Sequence, residues 1–314
     1  GALHNLGLGQ GDRVATLAWN TQEHMEAWYG IMAMGAVCHT LNPRLTSEQL
    51  AWMIDQSSAK LILASEDLLE LTRTIVAATQ KTSCRVLILG SMAESHDSLG
   101  ALMENAPQNV VWGEFDEKSP SGLCFTSGTT GAPKGVTYTH RANYLHTLKL
   151  LQADVAAITA SDTVMPVVPM FHANAWGLPF ACPAVGARLV LPGRQADGAS
   201  LARLIMDEGV TIAVGVPTVW LGLMDHIDAT GVDLPSLKRI MVGGAPMAQG
   251  LMDRVEARGI AVQTTWGMTE LSPLGTATPP NADSRDPRSS GSPAIGVDLR
   301  LCDAEGTPLS KQRE

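Results

Sequence analysis

Short runs of aliphatic and β-branched residues alternate with amphipathic stretches along most of this chain, and this alternation limits the folds it can adopt. The apolar runs predict buried strands, whereas apolar residues spaced three and four apart predict helices that cover a sheet. Asn20 or Thr21 is the predicted N-cap of the first helix, and Ser47 that of the second. In the first part of the chain, the predicted strands are Val14–Ala18, Lys60–Ala64 and Arg85–Leu89, and the predicted helices are Thr21–Gly35, Thr46–Gln56 and Glu66–Thr79. This strand–helix order favours a parallel sheet with helices on both faces.

The alternation resumes after a polar, irregular segment at Gly90–Lys118, which we predict to cross between two sheets. Pro279–Ser292 is predicted to be a polar loop. The predicted strands of this part are Gly122–Ser127, Val136–Thr139, Val164–Val168, Ala187–Leu191, Thr211–Gly215, Arg239–Val242 and Ala261–Thr265. The predicted helices are Arg141–Ala157, Trp176–Pro183, Ala199–Glu208, Pro217–Asp228 and Ala248–Arg258. We therefore expect an α/β protein with one or more doubly wound sheets, a fold class that does not by itself specify a function.

Charge and composition exclude several classes of protein. The formal net charge at pH 7 is −9 and no cluster of Lys and Arg interrupts it, which argues against a nucleic-acid partner. An acidic chain can still bind a polyanion through local backbone N–H groups, one or two cations and a metal ion. The apolar segment Met165–Val185 contains several prolines, so we predict no transmembrane segment. The 5 cysteines are scattered and form no CxxC pair, which predicts free thiols in a reducing compartment and a cytoplasmic location.

The most informative stretch is a loop rich in glycine and hydroxyl side chains that follows an apolar strand, Phe125-Thr-Ser-Gly-Thr-Thr-Gly-Ala-Pro-Lys-Gly135. Its glycines permit close approach of backbone to ligand, and consecutive N–H groups in such a loop form a site for anions. It is not a Walker A loop, because Pro133 precedes Lys134 and Gly135 follows it, and it lacks the GxGxxG of dinucleotide sites. The residues expected to contact phosphate are Thr126, Ser127, Gly128, Thr129, Thr130, Gly131 and Lys134.

The string from Ser127 to Gly135 resembles the AMP-binding signature of the adenylate-forming superfamily. That superfamily includes acyl-CoA synthetases, adenylation domains of nonribosomal peptide synthesis and beetle luciferases. The resemblance implies that the loop binds the β- and γ-phosphates of ATP with the help of Lys134. It also implies that residues 1–314 are the large N-terminal AMP-binding domain, in which subdomain crossovers are expected near 90–120 and 160–190.

A second stretch, Thr264-Thr-Trp-Gly-Met-Thr-Glu270, resembles the Tyr-Gly-x-Thr-Glu motif of the same superfamily. The resemblance implies that Thr269 bonds the α-phosphate and that Glu270 holds Mg²⁺, a role that suits a hard carboxylate ligand. Trp266 stands where the motif usually has Tyr; its indole can still stack on adenine, but the phenolic hydroxyl is lost. The other nucleotide-binding residues that the resemblance implies are Gly244, Ala245, Pro246, Thr265, Gly267 and Met268.

The substrate is indicated by Pro169-Met-Phe-His-Ala-Asn-Ala-Trp176, which resembles the superfamily segment that approaches the carboxylate. Amino-acid adenylation domains usually place Asp after this Phe, whereas this chain has His172, which suits a carboxylate better than an ammonium group. Trp176 resembles the aromatic gate of medium- and long-chain acyl-CoA synthetases. The implied substrate-binding residues are His172, Trp176, Gly244, Ala245 and Met268.

We therefore predict a ligase that activates a fatty or other apolar acid with ATP and Mg²⁺ and then joins it to coenzyme A, with Lys134, His172, Thr269 and Glu270 as catalytic residues. The alternatives left open are a ligase for a short, aryl or methylthio-substituted acid, a nucleotide-binding protein without activity, and an amino-acid adenylation domain. Acid chain length is not predicted, and a homodimer remains open. The start at Gly1, the stop at Glu314 and the lack of a later Thr-Gly-Asp motif predict a fragment without the small C-terminal domain, and this fragment alone is expected to be inactive or weakly active.

Overall fold

A computed structural model of the chain describes residues 1–81, 83–90, 98–107, 109–126, 133–282 and 285–309. Within these ranges, two sheets form with helices packed on their faces. The strands are β1 (Arg13–Leu17), β2 (Val37–Thr40), β3 (Leu61–Ala64), β4 (Arg85–Ile88), β5 (Pro120–Thr126), β6 (Lys134–Thr139), β7 (Thr163–Pro166), β8 (Arg188–Leu189), β9 (Ile212–Gly215), β10 (Arg239–Val242), β11 (Ala261–Gly267), β12 (Leu274–Ala277) and β13 (Ser292–Pro293). The helices are α1 (Ala2–Asn5), α2 (Gln22–Ala33), α3 (Ser47–Ser57), α4 (Leu69–Ala78), α5 (Leu99–Glu104), α6 (His140–Leu150), α7 (Leu178–Val185), α8 (Gly198–Glu208), α9 (Pro217–Thr230) and α10 (Gln249–Glu256).

The first sheet has the strand order β4-β3-β1-β2-β5-β6 in the described part of the chain. Its first five strands are parallel and β6 is antiparallel to β5. The second sheet has the order β13-β12-β11-β10-β9-β7-β8, with parallel strands from β8 to β11 and antiparallel strands β12 and β13. The carboxyl ends of β7, β9, β10 and β11 therefore lie along one edge, where ligands of α/β sheets usually bind.

The alternating faces of the strands assign side chains to separate apolar clusters. On β1, Val14 belongs to the cluster that also contains Val164 and Val214 of the second sheet, so this cluster joins the two sheets. The neighbouring Ala15 points to the opposite face, where it packs with Leu50 of α3 and residues of α4. A third cluster lies between the second sheet and helices α8, α9 and α10. Both sheets are thus covered on two faces, as the run of strands and helices predicted.

Two sequence predictions about connections and caps are wrong. The segment between β4 and β5 does not cross to another sheet, because both strands belong to the first sheet. In the described part of the chain, the passage from the first sheet to the second lies between β6 and β7, through α6. Of the two caps predicted for α2, Thr21 is confirmed, with its side chain accepting from the N–H of His24. Thr46 rather than Ser47 caps α3 in a capping box with Gln49.

The sequence analysis also missed several elements and misplaced the end of one helix. Strand β2 carries His39 and Thr40 in a fully buried strand, so it shows no apolar pattern. Helix α6 ends at Leu150 rather than at Ala157. Beyond this end, the carbonyl of Ala156 accepts from the guanidinium of Arg239 at 2.5 Å, which bonds this segment to the second sheet. Helices α1 and α5 and strands β12 and β13 were likewise not predicted, because they are short. Among the described residues, no helix is both long and apolar enough to cross a bilayer.

Candidate active site

A cavity of about 330 Å³ opens at the carboxyl edge of the second sheet. Its floor is formed by residues at the ends of β9 and β10, and its sides come from α6, the start of α7 and the turn that follows β11. The apolar part of its wall consists of Leu150, Leu178, Val214, Met241 and Leu274. Polar groups are confined to the side where β11 ends and to His172. A cavity with apolar walls and few polar groups suits a ligand with one apolar part and one polar end.

Most of the described residues that were predicted to bind nucleotide or acid line this one cavity. They come from three segments that are far apart in sequence but adjacent across the sheet edge. The lining residues among them are His172, Trp176, Gly244, Thr265, Trp266, Gly267, Met268 and Thr269. Ala245 and Pro246 follow Gly244 and are exposed, and Glu270 is exposed beside Thr269 in the 3-10 helix Thr269–Leu271.

The phosphate loop is framed by two paired strands. Thr126 at the end of β5 pairs with Lys134 at the start of β6, so the two strands hold both ends of the loop. Lys134 is exposed. The predicted phosphate-binding residues Ser127, Gly128, Thr129, Thr130 and Gly131 lie outside the described residues.

Tyr138 connects the phosphate-loop hairpin to the turn that carries Glu270. Its hydroxyl donates a hydrogen bond of 2.7 Å to the backbone carbonyl of Thr269, across 131 residues of sequence. Burial, followed by the nearby Cys124 and Glu270, raises the pKa of Tyr138 well above its ordinary value of 10.0, so the hydroxyl remains a donor. The sequence analysis did not select Tyr138, because a tyrosine in a strand has no local signal for such a contact.

The six-membered ring of the Trp266 indole packs closely against the backbone of β12 at Gly275. A Cβ atom added to Gly275 would lie 2.5 Å from two atoms of the six-membered ring, so only glycine permits this contact. The side chain of Trp266 nevertheless remains 40% exposed. Part of the indole is thus held by the protein while part of its surface is open to a ligand.

Trp176 stands against the end of β10. A Cβ atom on Gly243 would lie 3.0 Å from the Cη2 atom of the indole and 2.7 Å from the Oγ1 atom of Thr265. Since both contacts are closer than ordinary packing, Gly243 is the residue that lets the indole approach the strand. The indole therefore forms a wall of the cavity directly above the sheet edge.

The segment that carries Trp176 has an unusual backbone. The sequence predicted a right-handed helix over Trp176–Pro183. Residues Ala173–Gly177 instead form a left-handed turn with φ values of 43°, 57°, 48°, 55° and 79°, and the right-handed helix α7 begins at Leu178. For L-residues this conformation costs roughly 1–2 kcal/mol each, so the four non-glycine residues cost on the order of 4–8 kcal/mol together. Such strain persists only where surrounding contacts hold the segment in place, and it is commonest at functional sites.

His172 lies just before this turn, at the mouth of the cavity. Its side chain is exposed, but neighbouring protein atoms remove part of its hydration and Arg44 adds a nearby positive charge. Both effects lower the pKa of His172 below its ordinary value of 6.5, so the imidazole is neutral at pH 7. A neutral imidazole can donate one hydrogen bond to a carboxylate without acting as a cation.

Asn20 fixes the strand that leads into this segment. Its Nδ2 atom donates to the carbonyls of Pro166 and Val168 at 3.0 and 2.9 Å, and its Oδ1 atom accepts from the N–H of Met170 at 2.8 Å. The sequence analysis considered Asn20 only as a helix cap. Its actual contacts tie the end of β1 in the first sheet to the end of β7 in the second, which holds the two sides of the site together.

The acidic residues of the site are too few to form a metal centre from protein ligands alone. No group of three or more His, Cys, Asp or Glu side chains that could hold a metal ion occurs within the described ranges. Any metal ion beside Glu270 would need ligand oxygens from a bound phosphate or from water, which is how Mg²⁺ is commonly bound.

Comparison with known proteins identifies related sequences and folds. A family model described as AMP-binding enzyme matches residues 1–314. The chain is 41% identical over 324 residues to a medium-chain-fatty-acid–CoA ligase of Ectopseudomonas oleovorans and 40% identical over 327 residues to a 3-methylmercaptopropionyl-CoA ligase of Ruegeria lacuscaerulensis. Both alignments cover 98% of this chain, but the chain spans only 59% and 60% of the length of these curated relatives.

Among solved structures, the fold resembles that of an anthranilate CoA ligase, AuaEII, in complex with anthranoyl-AMP. The TM-score is 0.88 at 23% sequence identity, and the match covers 98% of this chain and 60% of the other. At this identity the likeness concerns the fold alone. It shows that the two parallel-rich sheets and their helices form the architecture of the N-terminal domain of adenylate-forming enzymes.

Proposed function

The chain belongs to the AMP-binding enzyme family, and we propose that it is the acid- and nucleotide-binding domain of an acid–CoA ligase that activates an apolar carboxylic acid. The observation that carries this proposal is the cavity of about 330 Å³, which is apolar inside and opens beside the predicted nucleotide residues. An apolar acid would place its chain against Leu150, Val214 and Met241, with its carboxylate at the mouth. Both curated relatives named above are acid–CoA ligases, which supports the same reaction for this chain.

In the proposed reaction, a carboxylate oxygen of the acid attacks the α-phosphorus of ATP and pyrophosphate leaves from the opposite side. The neutral imidazole of His172 donates a hydrogen bond that orients the carboxylate. Thr269 binds the α-phosphate, and Lys134 with the phosphate loop binds the leaving pyrophosphate. Because the protein forms no covalent bond with the acid, its contribution is orientation and stabilisation of the developing charge. The thiol of coenzyme A then attacks the carbonyl carbon of the acyl-adenylate, AMP leaves, and the thioester forms.

We further propose that Glu270 holds Mg²⁺ on the phosphates. The ion would neutralise negative charge that develops on the phosphate oxygens. The carboxylate of Glu270 is exposed beside Thr269, and the Tyr138–Thr269 hydrogen bond fixes the backbone of that turn. A single carboxylate is sufficient, since Mg²⁺ is usually bound by one or two carboxylates together with phosphate oxygens and water.

The residue after Phe171 favours this substrate class over an amino acid. His172 at that position is neutral at pH 7 and cannot form an ion pair with an ammonium group. A methylthio-substituted acid is the second candidate, because the relative from Ruegeria is nearly as similar as the fatty-acid ligase. Such an acid has the same apolar chain and carboxylate, so the mechanism is unchanged and only the substrate differs.

We also propose a reducing, cytoplasmic location. The cysteines are free thiols, of which Cys38, Cys84, Cys124 and Cys182 are buried and Cys302 is exposed. Burial raises the pKa of the Cys84 and Cys182 thiols to about 12, so these groups stay protonated and act as small apolar side chains.

The test is acid-dependent release of pyrophosphate by the full-length protein, measured with short, medium and long straight-chain acids, aryl acids, methylthio acids and amino acids, with and without coenzyme A. Release with straight-chain acids that increases with coenzyme A supports the fatty-acid ligase. Release with only methylthio or aryl acids supports the same mechanism with one of those acids as the substrate. If no acid produces pyrophosphate, the proposed function is wrong.

The role of Glu270 is tested by Glu270→Gln, which keeps the shape of the side chain and removes its charge. We expect pyrophosphate release to fall about 100-fold or more and the Mg²⁺ concentration for half-maximal rate to rise. Glu104→Gln removes one exposed carboxylate from α5, away from the cavity, and serves as the matched control. Equal rates and equal Mg²⁺ dependence in both variants would contradict a metal-binding role for Glu270.

A further inference from the structure

The left-handed turn Ala173–Gly177 is held by side chains that the proposed reaction does not use. One is His146 on α6, which is buried and lies with its Nε2 atom 3.0 Å from the carbonyl oxygen of Trp176. Because a carbonyl can only accept, Nε2 carries the proton, and Nδ1 is left as a buried nitrogen without a hydrogen-bond partner in the described part of the chain. Burying a ring nitrogen without a hydrogen-bond partner costs free energy. The hydrogen bond from Nε2 to the Trp176 carbonyl therefore explains why a histidine occupies this position.

The ring of His146 also fits the shape of the turn. A Cβ atom on Gly177 would lie 2.4 Å from both Cδ2 and Nε2 of the imidazole, so the ring packs directly on the glycine backbone. Desolvation lowers the pKa of His146 to about 4, which keeps the ring neutral and the assigned tautomer populated at pH 7. His146 therefore contacts the turn both through a hydrogen bond and through its surface.

The second side chain is Asn174, which is part of the turn and points away from the cavity. It is buried, and its Oδ1 atom accepts from the Sγ atom of Cys124 on β5 at 3.3 Å. The Cys124 thiol also lies 3.4 Å from the hydroxyl of Thr40 on β2. Asn174 thus ties the turn to the first sheet, while His146 ties it to α6.

The turn determines where the indole of Trp176 stands. Since the carbonyl of Trp176 is bonded to His146 and the neighbouring Asn174 is bonded to Cys124, the backbone on both sides of the Trp176 Cα atom is restrained. This backbone places the indole against Gly243, where it closes one side of the cavity. A turn that relaxed toward ordinary φ values would move the indole away from Gly243 and enlarge the cavity.

We propose that His146 and Asn174 are positioning residues which hold the left-handed turn and so limit the size of the acid that the cavity accepts. This inference rests on the proposed function for its substrate, but the contacts that support it are independent of the reaction. Neither residue touches the acid; each acts through the position of Trp176.

The experiment compares His146→Leu, which removes the donor, with His146→Gln, whose amide can donate to the same carbonyl. His24→Leu is the matched control, because His24 is also buried and its Nδ1 atom bonds a backbone carbonyl, that of Trp19, at 2.9 Å. The protein is labelled with 5-fluorotryptophan, and the fluorine resonance of Trp176 is assigned among the 7 tryptophans by Trp176→Phe. We expect His146→Leu to shift or split this resonance and the control to leave it unchanged.

The second readout is KM for a series of straight-chain acids in the pyrophosphate assay. In His146→Leu we expect the enlarged cavity to favour the longer acid, so the ratio of KM for a short acid to KM for a longer acid should rise. The expected rise is about tenfold, which is the discrimination that a hydrophobic pocket makes for one methylene group. His146→Gln should restore the ratio. If His146→Leu does not fold, Cys124→Ala removes the donor to Asn174 and should change the resonance and the KM ratio in the same direction.

The two readouts separate this inference from the function on which it rests. An unchanged Trp176 resonance together with an unchanged KM ratio would overturn the inference while leaving the ligase reaction intact. A wild-type protein that releases no pyrophosphate with any acid would overturn the proposed function and, with it, the limit on acid size. The fluorine resonance would then still show whether His146 holds the turn.

Discussion

Replacing Gly243 with alanine places one methyl group between the indole of Trp176 and the strand end. The backbone of Gly243 has an ordinary φ, so the effect comes from contact alone. The new Cβ atom would lie 2.7 Å from the Oγ1 atom of Thr265, 3.0 Å from the Cη2 atom of Trp176 and 3.2 Å from the carbonyl oxygen of Thr265. The first distance is too short for any real pair, so at least one neighbour must move.

The cost follows from what each neighbour loses when it moves. Thr265 would give up the hydrogen bond of 3.1 Å from its hydroxyl to the carbonyl of Val242, which contributes about 0.5–1.5 kcal/mol. Overpacking of a close contact costs about 1–3 kcal/mol more, for a total of about 1.5–4.5 kcal/mol in the free energy of unfolding. The methyl group also occupies space in the cavity, so we expect KM for the acid to rise about tenfold.

The measurement is urea-induced unfolding together with acid-dependent pyrophosphate release, for Gly243→Ala and for Gly222→Ala. Gly222 is exposed within α9 and a Cβ atom there would meet no atom within 4 Å. Alanine at Gly222 should therefore stabilise the protein by about 0.5–1 kcal/mol and leave KM unchanged. If Gly243→Ala were as stable as wild type with an unchanged KM, the close approach of Trp176 to Gly243 would be refuted.

Two further predictions concern hydrogen bonding and pH. Tyr138→Phe should reduce the free energy of unfolding by about 1–3 kcal/mol, because the Thr269 carbonyl loses its hydrogen-bond donor. The same change should raise the Mg²⁺ concentration that the reaction requires. An unchanged urea midpoint and an unchanged Mg²⁺ dependence would argue against this hydrogen bond. Burial lowers the pKa of His24 from 6.5 to about 4. Between these pH values, the unfolded chain binds a proton that the folded chain does not. The free energy of unfolding therefore falls by up to about 3 kcal/mol as the pH falls from 6.5 to 4. Urea unfolding at pH 7, 5.5 and 4.5 should show this slope, to which the buried His39 and His146 also contribute. His24→Gln should therefore reduce the slope, and equal slopes in both proteins would contradict the assignment.

The motif residues could be found from the sequence because each of them lies next to a strand end in a distinctive string. Thr265 to Gly267 are the last residues of β11, Met268 to Glu270 follow it, and Gly244 follows β10. Parallel strands place their carboxyl ends along one edge, so strings that follow different strands are expected to meet there. The structure brings Gly244, Thr265 and Thr269 to one cavity with His172, in agreement with that expectation.

The residues that hold these motifs in place carry no such signal. Tyr138 bonds Thr269 across 131 residues of sequence, and Asn20 bonds Val168 across 148. A tyrosine in a strand or an asparagine before a helix is compatible with many partners, and only the packing of two sheets selects one. The sequence analysis accordingly considered Asn20 as a cap and did not consider Tyr138.

The segment from Ala173 to Gly177 shows the same limit in the backbone. Its residues have no local preference for positive φ, apart from the glycine and in part the asparagine, so local patterns predicted an ordinary helix from Trp176. Contacts from His146 and Cys124 outweigh this local preference. Such an override cannot be predicted from local sequence, because its cause lies in other elements.

The sequence by itself determined the alternation of strands and helices, the parallel sheets that follow from it, and the strings that suit phosphate, metal ion and carboxylate. These features depend on side-chain type and spacing, which are local. The tertiary structure alone decided the left-handed turn, the contact of Trp176 with Gly243 and the bond from Tyr138 to Thr269. These depend on which elements pack together, because the free energy that holds a strained turn or selects a distant hydrogen-bond partner comes from the packed core rather than from neighbours along the chain.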